Sequence, residues 1–296
     1  MEGVGDGLSI LPSKVADLAA RPLDLTEPDP RSRTDPVISL RSLVSVLALA
    51  VTTAACIDPA TEHRVRANAY LRGGDAQKAI EEVDAGLKKR PKDVSLLVMR
   101  GKALFELGKY PDARAAYREG IAASPSDDRS LADAHLGLAM AALRENDPTE
   151  ARREFETLVS FDAKDADARL NLARVCLQTK ENACALEHAE AAARLRGGSE
   201  DVLFTLGRIY AVAGRLDDAE KTFTHLGEVV PNAASCPYGL ALVAAQRGDK
   251  DKALAKLSEA IDRKLPNPDK LAEDTLFAPL AEDARFKDLV VKAAKK

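Results

Sequence analysis

The sequence predicts an all-α chain, a solenoid of about six helical hairpins wound into a superhelix and finished by C-terminal capping helices. Its richness in Ala, Leu, Glu, Lys and Arg, with only 4% aromatic residues and no Trp, favours helices. The stretch Asp201 to Pro231, DVLFTLGRIYAVAGRLDDAEKTFTHLGEVVP, reads as one helical hairpin, and the sequence on either side of it repeats the pattern with variations.

Within that stretch, Leu203, Leu206, Gly207 and Tyr210 recur at three- and four-residue steps, as one face of a helix requires. Gly214 breaks the pattern, and Leu216, Ala219 and Phe223 restart it up to Pro231. Gly207 and Ala219 are small enough for the two helices to cross closely, with Tyr210 and Phe223 filling the space beside them. This set resembles the tetratricopeptide repeat consensus, with Leu203 where a leading Trp is usual. The resemblance implies the superhelical architecture and a general role in binding other proteins.

A repeat of roughly 34 residues can be laid over residues 60–267 six times. The first unit, Ala60 to Asp93, places Ala67, Tyr70, Gly74, Ala79 and Pro91 on the consensus. The second, Val94 to Ser126, carries Gly101, Gly108, Tyr110, Ala113, Tyr117 and Pro125. The third, Ala132 to Asp165, follows a small insertion; its Asp147-Pro148-Thr149-Glu150 reads as N-cap, first-turn Pro and capping-box Glu. The fourth, Ala166 to Ser199, has Ala189 where an aromatic is expected. The stretch 201–231 is the fifth, and Ala234 to Asn267 is the sixth. Residues 268–296 then read as terminal capping helices with an apolar stripe of Phe286, Leu289, Val290 and Ala293, because the open end of a solenoid must be covered.

Ahead of the repeats, residues 1–36 carry five prolines without sustained periodicity and are expected to be unstructured, upstream of a translation start near Val37. Residues 37–55 have the build of a secretory signal: Arg41, an apolar run from Leu43 to Val51, then small residues. Thr53-Ala54-Ala55-Cys56 resembles the bacterial lipobox, which implies cleavage before Cys56, lipidation of Cys56 and a short tether over 56–59. The competing reading is a short apolar helix packed on the first repeat with Cys56 as a buried thiol. A membrane span needs about 20 apolar residues, more than the uncharged stretch from Ser42 to Ile57 offers.

Forty-three basic and 47 acidic residues leave a formal net charge of −4 without a long single-sign block, so no nucleic-acid footprint is present. His63, His135, His188 and His225 fall in different repeats and lack metal-pair spacing. Gly73-Gly74 and Gly197-Gly198 sit at helix ends rather than in a phosphate loop. The sequence therefore predicts no enzyme, no metal, no cofactor and no small-molecule substrate. Cys176 and Cys184 flank the turn of the fourth hairpin and either form a disulfide or pack as two small core residues; Cys236 has no evident partner.

In tetratricopeptide arrays the first helices of successive hairpins line the inner wall, so the resemblance places candidate partner-binding residues there. One row is Arg64, Val98, Leu136, Leu170, Phe204 and Tyr238. One turn on lie Asn68, Lys102, Met140, Arg174, Arg208 and Leu242. The first row is largely apolar and the second partly basic, which suits a protein or peptide segment with apolar anchors and acidic side chains. Arg64 and Asn68 resemble part of the carboxylate clamp of chaperone-binding repeats, whereas Met99, Asp133 and Gly137 replace the rest of it. The expected function is a lipid-anchored adaptor facing the periplasm, with Ile57 after the lipidated Cys leaning toward the outer membrane. The alternatives are a cytoplasmic interaction regulator without a cleaved signal, and an enzyme with an unrecognised site.

Overall fold

The protein was analysed as a computed structural model, which describes residue 58 and residues 60–126 and 131–294. The readings of residues 1–57, including the leader and Cys56, lie outside these residues. Among the described residues twelve α-helices pair into six hairpins: α1 Thr61–Arg72 and α2 Ala76–Lys89; α3 Val94–Glu106 and α4 Tyr110–Ala123; α5 Ala132–Arg144 and α6 Pro148–Phe161; α7 Ala166–Gln178 and α8 Asn182–Arg196; α9 Glu200–Val212 and α10 Leu216–Val229; α11 Ser235–Gln246 and α12 Lys250–Asp262. Two 3-10 turns, Pro268–Glu273 and Thr275–Leu280, and helix α13, Ala284–Ala293, complete the chain. The architecture is the all-α solenoid that the sequence predicts. The terminal segment is less helical than expected, and Pro279, inside the second turn, lacks the N–H that an α-helix interior uses.

Each hairpin turns by the same device. The second residue after the first helix enters the left-handed region at Gly74, Gly108, Asn146, Lys180, Gly214 and Gly248. The next N–H then reaches back to a carbonyl five residues earlier: Asp75 to Tyr70 (2.9 Å), Lys109 to Leu104 (2.9 Å), Asp147 to Ala142 (2.9 Å), Glu181 to Cys176 (2.8 Å), Arg215 to Tyr210 (2.9 Å) and Asp249 to Ala244 (2.9 Å). These bonds satisfy carbonyls that the helix end leaves open and fix where the second helix starts. Asp75, Asp147 and Asp249 then cap that helix through the side chain. Glu150 does not close the expected capping box. Its carboxylate, 7% exposed, takes hydrogen bonds from Arg114 and Arg118 of α4, where a charged guanidinium is a stronger donor than a backbone N–H.

At two of the five junctions, successive hairpins are joined by a ring lodged against glycines. Phe223, fully buried, lies where a Cβ on Gly207 would come within 2.6 Å of the ring and one on Gly239 within 2.2 Å. Tyr117 repeats the arrangement one unit into the solenoid, between Gly101 (2.7 Å) and Gly137 (2.2 Å). Each ring therefore contacts a first helix of its own hairpin and one of the next, and burying such a side chain contributes roughly 1.5–3 kcal/mol. In the fourth hairpin Cys176 and Cys184 are joined by a disulfide with Cα atoms 5.8 Å apart, which pins the end of α7 to the start of α8. Polar pairs also cross within hairpins: His63 Nδ1 lies 2.8 Å from a Glu82 carboxylate oxygen, and His135 Nδ1 lies 2.6 Å from one of Glu154.

Gly239→Ala is expected to cost about 1–3 kcal/mol by overpacking against the immobile Phe223 ring. Asp217→Ala, at a carboxylate 87% exposed, should stay within about 0.5 kcal/mol. Urea denaturation of the two variants checks this; equal midpoints would contradict the ring-and-glycine junction.

Candidate functional site

First helices touch their successors within hairpins one to three and again within hairpins four to six, and each group frames a cleft. The N-terminal cleft, about 470 Å³, is lined by five of the residues expected there: Asn68, Val98, Lys102, Leu136 and Met140. Leu136 is 41% exposed, and Lys102 extends into solvent without an ion-pair partner among the described residues. Tyr117 forms the back wall, only 4% exposed, with its hydroxyl over Gly137. Burial pushes its pKa upward, since the phenolate would lose its solvation.

The C-terminal cleft, about 810 Å³, holds four more of the expected residues: Arg174, Phe204, Arg208 and Tyr238. The Phe204 ring is centred 5.9 Å from Tyr238 and 5.9 Å from Phe223, and the Arg208 guanidinium lies 5.9 Å from the Phe204 centroid. Arg174 donates to Thr205 Oγ1 at 3.1 Å. Arg208 Nη1 and the Tyr238 hydroxyl both donate to Asp274 Oδ2, at 2.7 Å and 2.6 Å. Asp274 belongs to the capping segment and its side chain is 8% exposed, so the cap has put a carboxylate of its own onto the groove wall. Burial raises the Tyr238 pKa, and the adjoining Asp274 carboxylate raises it further.

Three expected contacts fall outside both clefts. Arg64 is occupied by Asp58 and by Asp93, the latter at 3.3 Å, so it carries no open guanidinium into the groove. Leu170, 1% exposed, packs with Ala192 and Val202. Leu242, fully buried, belongs to the core that hairpin six shares with the cap. Tyr238 itself is 8% exposed and acts as a wall rather than a free anchor, because Phe277 of the cap stands edge-on to it at 5.6 Å. Spacing alone projects every first helix inward equally. The cap breaks that equivalence at hairpin six.

Sequence reasoning missed Lys264, Lys270 and Asp274. Both lysines line the C-terminal cleft, and Lys264 stands at a φ of 63°, just past the end of α12. Their signal was the basic residues on either side of Pro266, which read only as the start of a cap. Among the described residues no group of His, Cys, Asp and Glu is arranged to hold a metal ion, and no helix is long and apolar enough to cross a membrane.

A family model described as tetratricopeptide repeat matches residues 64–128, 136–200 and 204–268. Among curated proteins, a BBSome complex member BBS4 homolog of Drosophila melanogaster is 25% identical over 199 residues. That match covers 63% of the chain, and the chain spans only 40% of that relative. Among solved structures, a tetratricopeptide repeat protein from Parabacteroides merdae aligns with a TM-score of 0.67 at 16% identity, over 80% of this chain and 92% of that one. PilW, a widely conserved type IV pilus biogenesis factor, aligns at 0.58 and 18% identity, over 75% and 97%. YrrB, a TPR protein with an unusual peptide-binding site, aligns at 0.52 and 21%, over 72% and 98%. At these identities the structural matches speak for the fold.

The two cleft tyrosines give an alkaline signature. Their folded pKa values lie above the unfolded value of about 10, so the stability they contribute is complete below that pH and is lost as pH rises past it. Each should remove about 1.4 kcal/mol per pH unit in that window. Urea titrations between about pH 9 and about pH 11 should show a steeper loss in the wild type than in Tyr117→Phe/Tyr238→Phe. Equal slopes would mean that neither hydroxyl is held in its neutral form.

Proposed function

Because the chain belongs to the tetratricopeptide repeat family, we propose that it is a scaffold that holds a protein segment in the groove formed by its first helices, anchored by lipid to a bacterial cell envelope. The observation that carries the binding half is the pair of clefts, in which exposed Leu136, half-buried Phe204 and solvent-facing Lys102 and Arg174 remain available while most other apolar groups are buried. An apolar surface rimmed by cations is suited to an amphipathic, acidic segment. The fold likeness to YrrB and PilW agrees with this reading.

The anchoring half is supported by the apolar run and small residues before Cys56. The Cys176–Cys184 disulfide also favours it, since such bonds persist in oxidising compartments such as a periplasm. Several acyl chains on Cys56 would hold far more strongly than one, each buried CH2 contributing roughly 0.8 kcal/mol. The protein would then face the periplasm, on the outer membrane.

Two experiments test the halves separately. Cys56→Ala in a bacterial host should leave the precursor uncleaved and unlabelled by palmitate; labelled, membrane-bound protein in that variant would exclude Cys56 as the anchor. For binding, partner captured by the wild type is titrated against Phe204→Ala, Leu136→Asp and Lys88→Ala, the last an exposed residue on a second helix. Phe204→Ala should lose about 2 kcal/mol of affinity if the ring is a hot spot, and Lys88→Ala should bind as the wild type does. Groove variants indistinguishable from Lys88→Ala, at unchanged helicity and melting, would place recognition on another surface.

A further inference from the structure

The C-terminal cleft is built partly from the cap, and its charges are unevenly committed. Arg208 is engaged by Asp274. Arg263, also on its wall, donates to the Pro231 carbonyl at 2.7 Å and pairs with Glu259 at 2.6 Å. Arg174 lies 4.0 Å from the Asp201 carboxylate and is nearly half exposed. Lys264 and Lys270 have no ion-pair partner among the described residues, and both are exposed. Besides Asp274, which Arg208 and Tyr238 already engage, the acids on this wall among the described residues are Glu200 and Asp201. The cleft therefore carries an unbalanced positive charge beside an aromatic floor.

The cap also illustrates the chemistry that this wall accepts. Asp274 places its carboxylate between Arg208 and Tyr238, and two and three residues later Leu276 and Phe277 are buried against hairpin six, 6% and 2% exposed. An acidic residue followed closely by bulky apolar ones is thus already docked on the end of the groove, intramolecularly.

We infer that the cleft between hairpins four to six and the cap is the binding site for an acidic segment of a partner protein, with its carboxylates on Lys264, Lys270 and Arg174 and a bulky apolar side chain on Phe204. The inference rests on the groove-binding function proposed above and narrows it to one cleft and one ligand chemistry. Arg208 and Tyr238 are positioning residues in this scheme. They hold the cap, which carries Lys270, while Lys264 follows directly on the end of α12. The N-terminal cleft, with Lys102 as the solvent-facing cation on its rim, is then a secondary surface.

The test uses the full chain and a fluorescein-labelled, carboxamide-ended peptide, Asp-Asp-Thr-Leu-Phe, read by fluorescence anisotropy. The acidic peptide should bind about tenfold or more tightly than Asn-Asn-Thr-Leu-Phe, and raising the salt should weaken it. Lys264→Glu/Lys270→Glu should weaken binding about tenfold or more, and Lys102→Glu by less than about twofold. Circular dichroism melting shows whether each variant remains folded. These lysines are exposed, so their replacement leaves the core intact; Lys264→Gln/Lys270→Gln gives a second, milder reading with a smaller loss in the same direction. Equal binding of the acidic and neutral peptides, no saturable binding of the acidic one, or a loss on Lys102→Glu but not on the lysine pair each overturns the inference. The groove function falls separately, only if Phe204→Ala and Leu136→Asp both leave partner capture unchanged.

Discussion

A ring lodged against glycines on two consecutive first helices is the contact on which the solenoid depends. Phe223 between Gly207 and Gly239, and Tyr117 between Gly101 and Gly137, each set how closely one hairpin approaches the next. Where the second helix offers less, the facing position is larger. Fully buried Ala189 corresponds to Thr205, and fully buried Val83 to Met99. At these contacts the sizes of facing side chains compensate one another, as close packing demands. The spacing of the inner wall, and hence the width of both clefts, follows from it.

A second constraint is imposed by the cap. Its Phe277, Leu280 and Phe286 cover the apolar end of hairpin six, as an end unit requires. Asp274 adds a polar bond to that cover by accepting from Arg208 and Tyr238. A buried carboxylate is tolerated there because a charged donor and a hydroxyl both satisfy it. The same contact makes the cap one wall of the basic cleft at the end of the groove.

Much of this was legible in the sequence. The apolar steps at three and four residues, broken by Gly74, Gly108, Gly214 and Gly248, gave the hairpins, because a left-handed turn residue leaves a visible mark. Asn146 and Lys180 do the same work at φ values of 56° and 62°; Asn tolerates this region, but Lys180 leaves no sequence mark of the turn. The candidate site was read by projecting one register through six repeats. That projection reaches the cleft walls at Val98, Lys102, Leu136, Met140, Arg174 and Phe204. It misses the clefts at Leu170, which the adjoining repeat helices bury, at Leu242, which the cap covers, and at Arg64, which Asp58 and Asp93 engage. Lys264 and Lys270 were illegible as site residues because the cap that frames them has no periodicity to project.

Repeat arrays grow and shrink by gaining or losing whole units, and the ring-and-glycine junction restricts where such cuts can fall. A unit excised from Val94 to Ser126 would carry Tyr117 away and leave Gly137 facing Val83, a void at the new seam. A unit cut instead within the first helices, from just after Gly101 to just after Ala139, would keep Tyr117 and Gly137 together as one inherited piece. The heritable module of this chain is therefore offset by half a helix from the hairpin that the eye picks out. Homologous recombination, or an engineer shuffling repeats, should meet fewer broken seams at that offset boundary than at the loops.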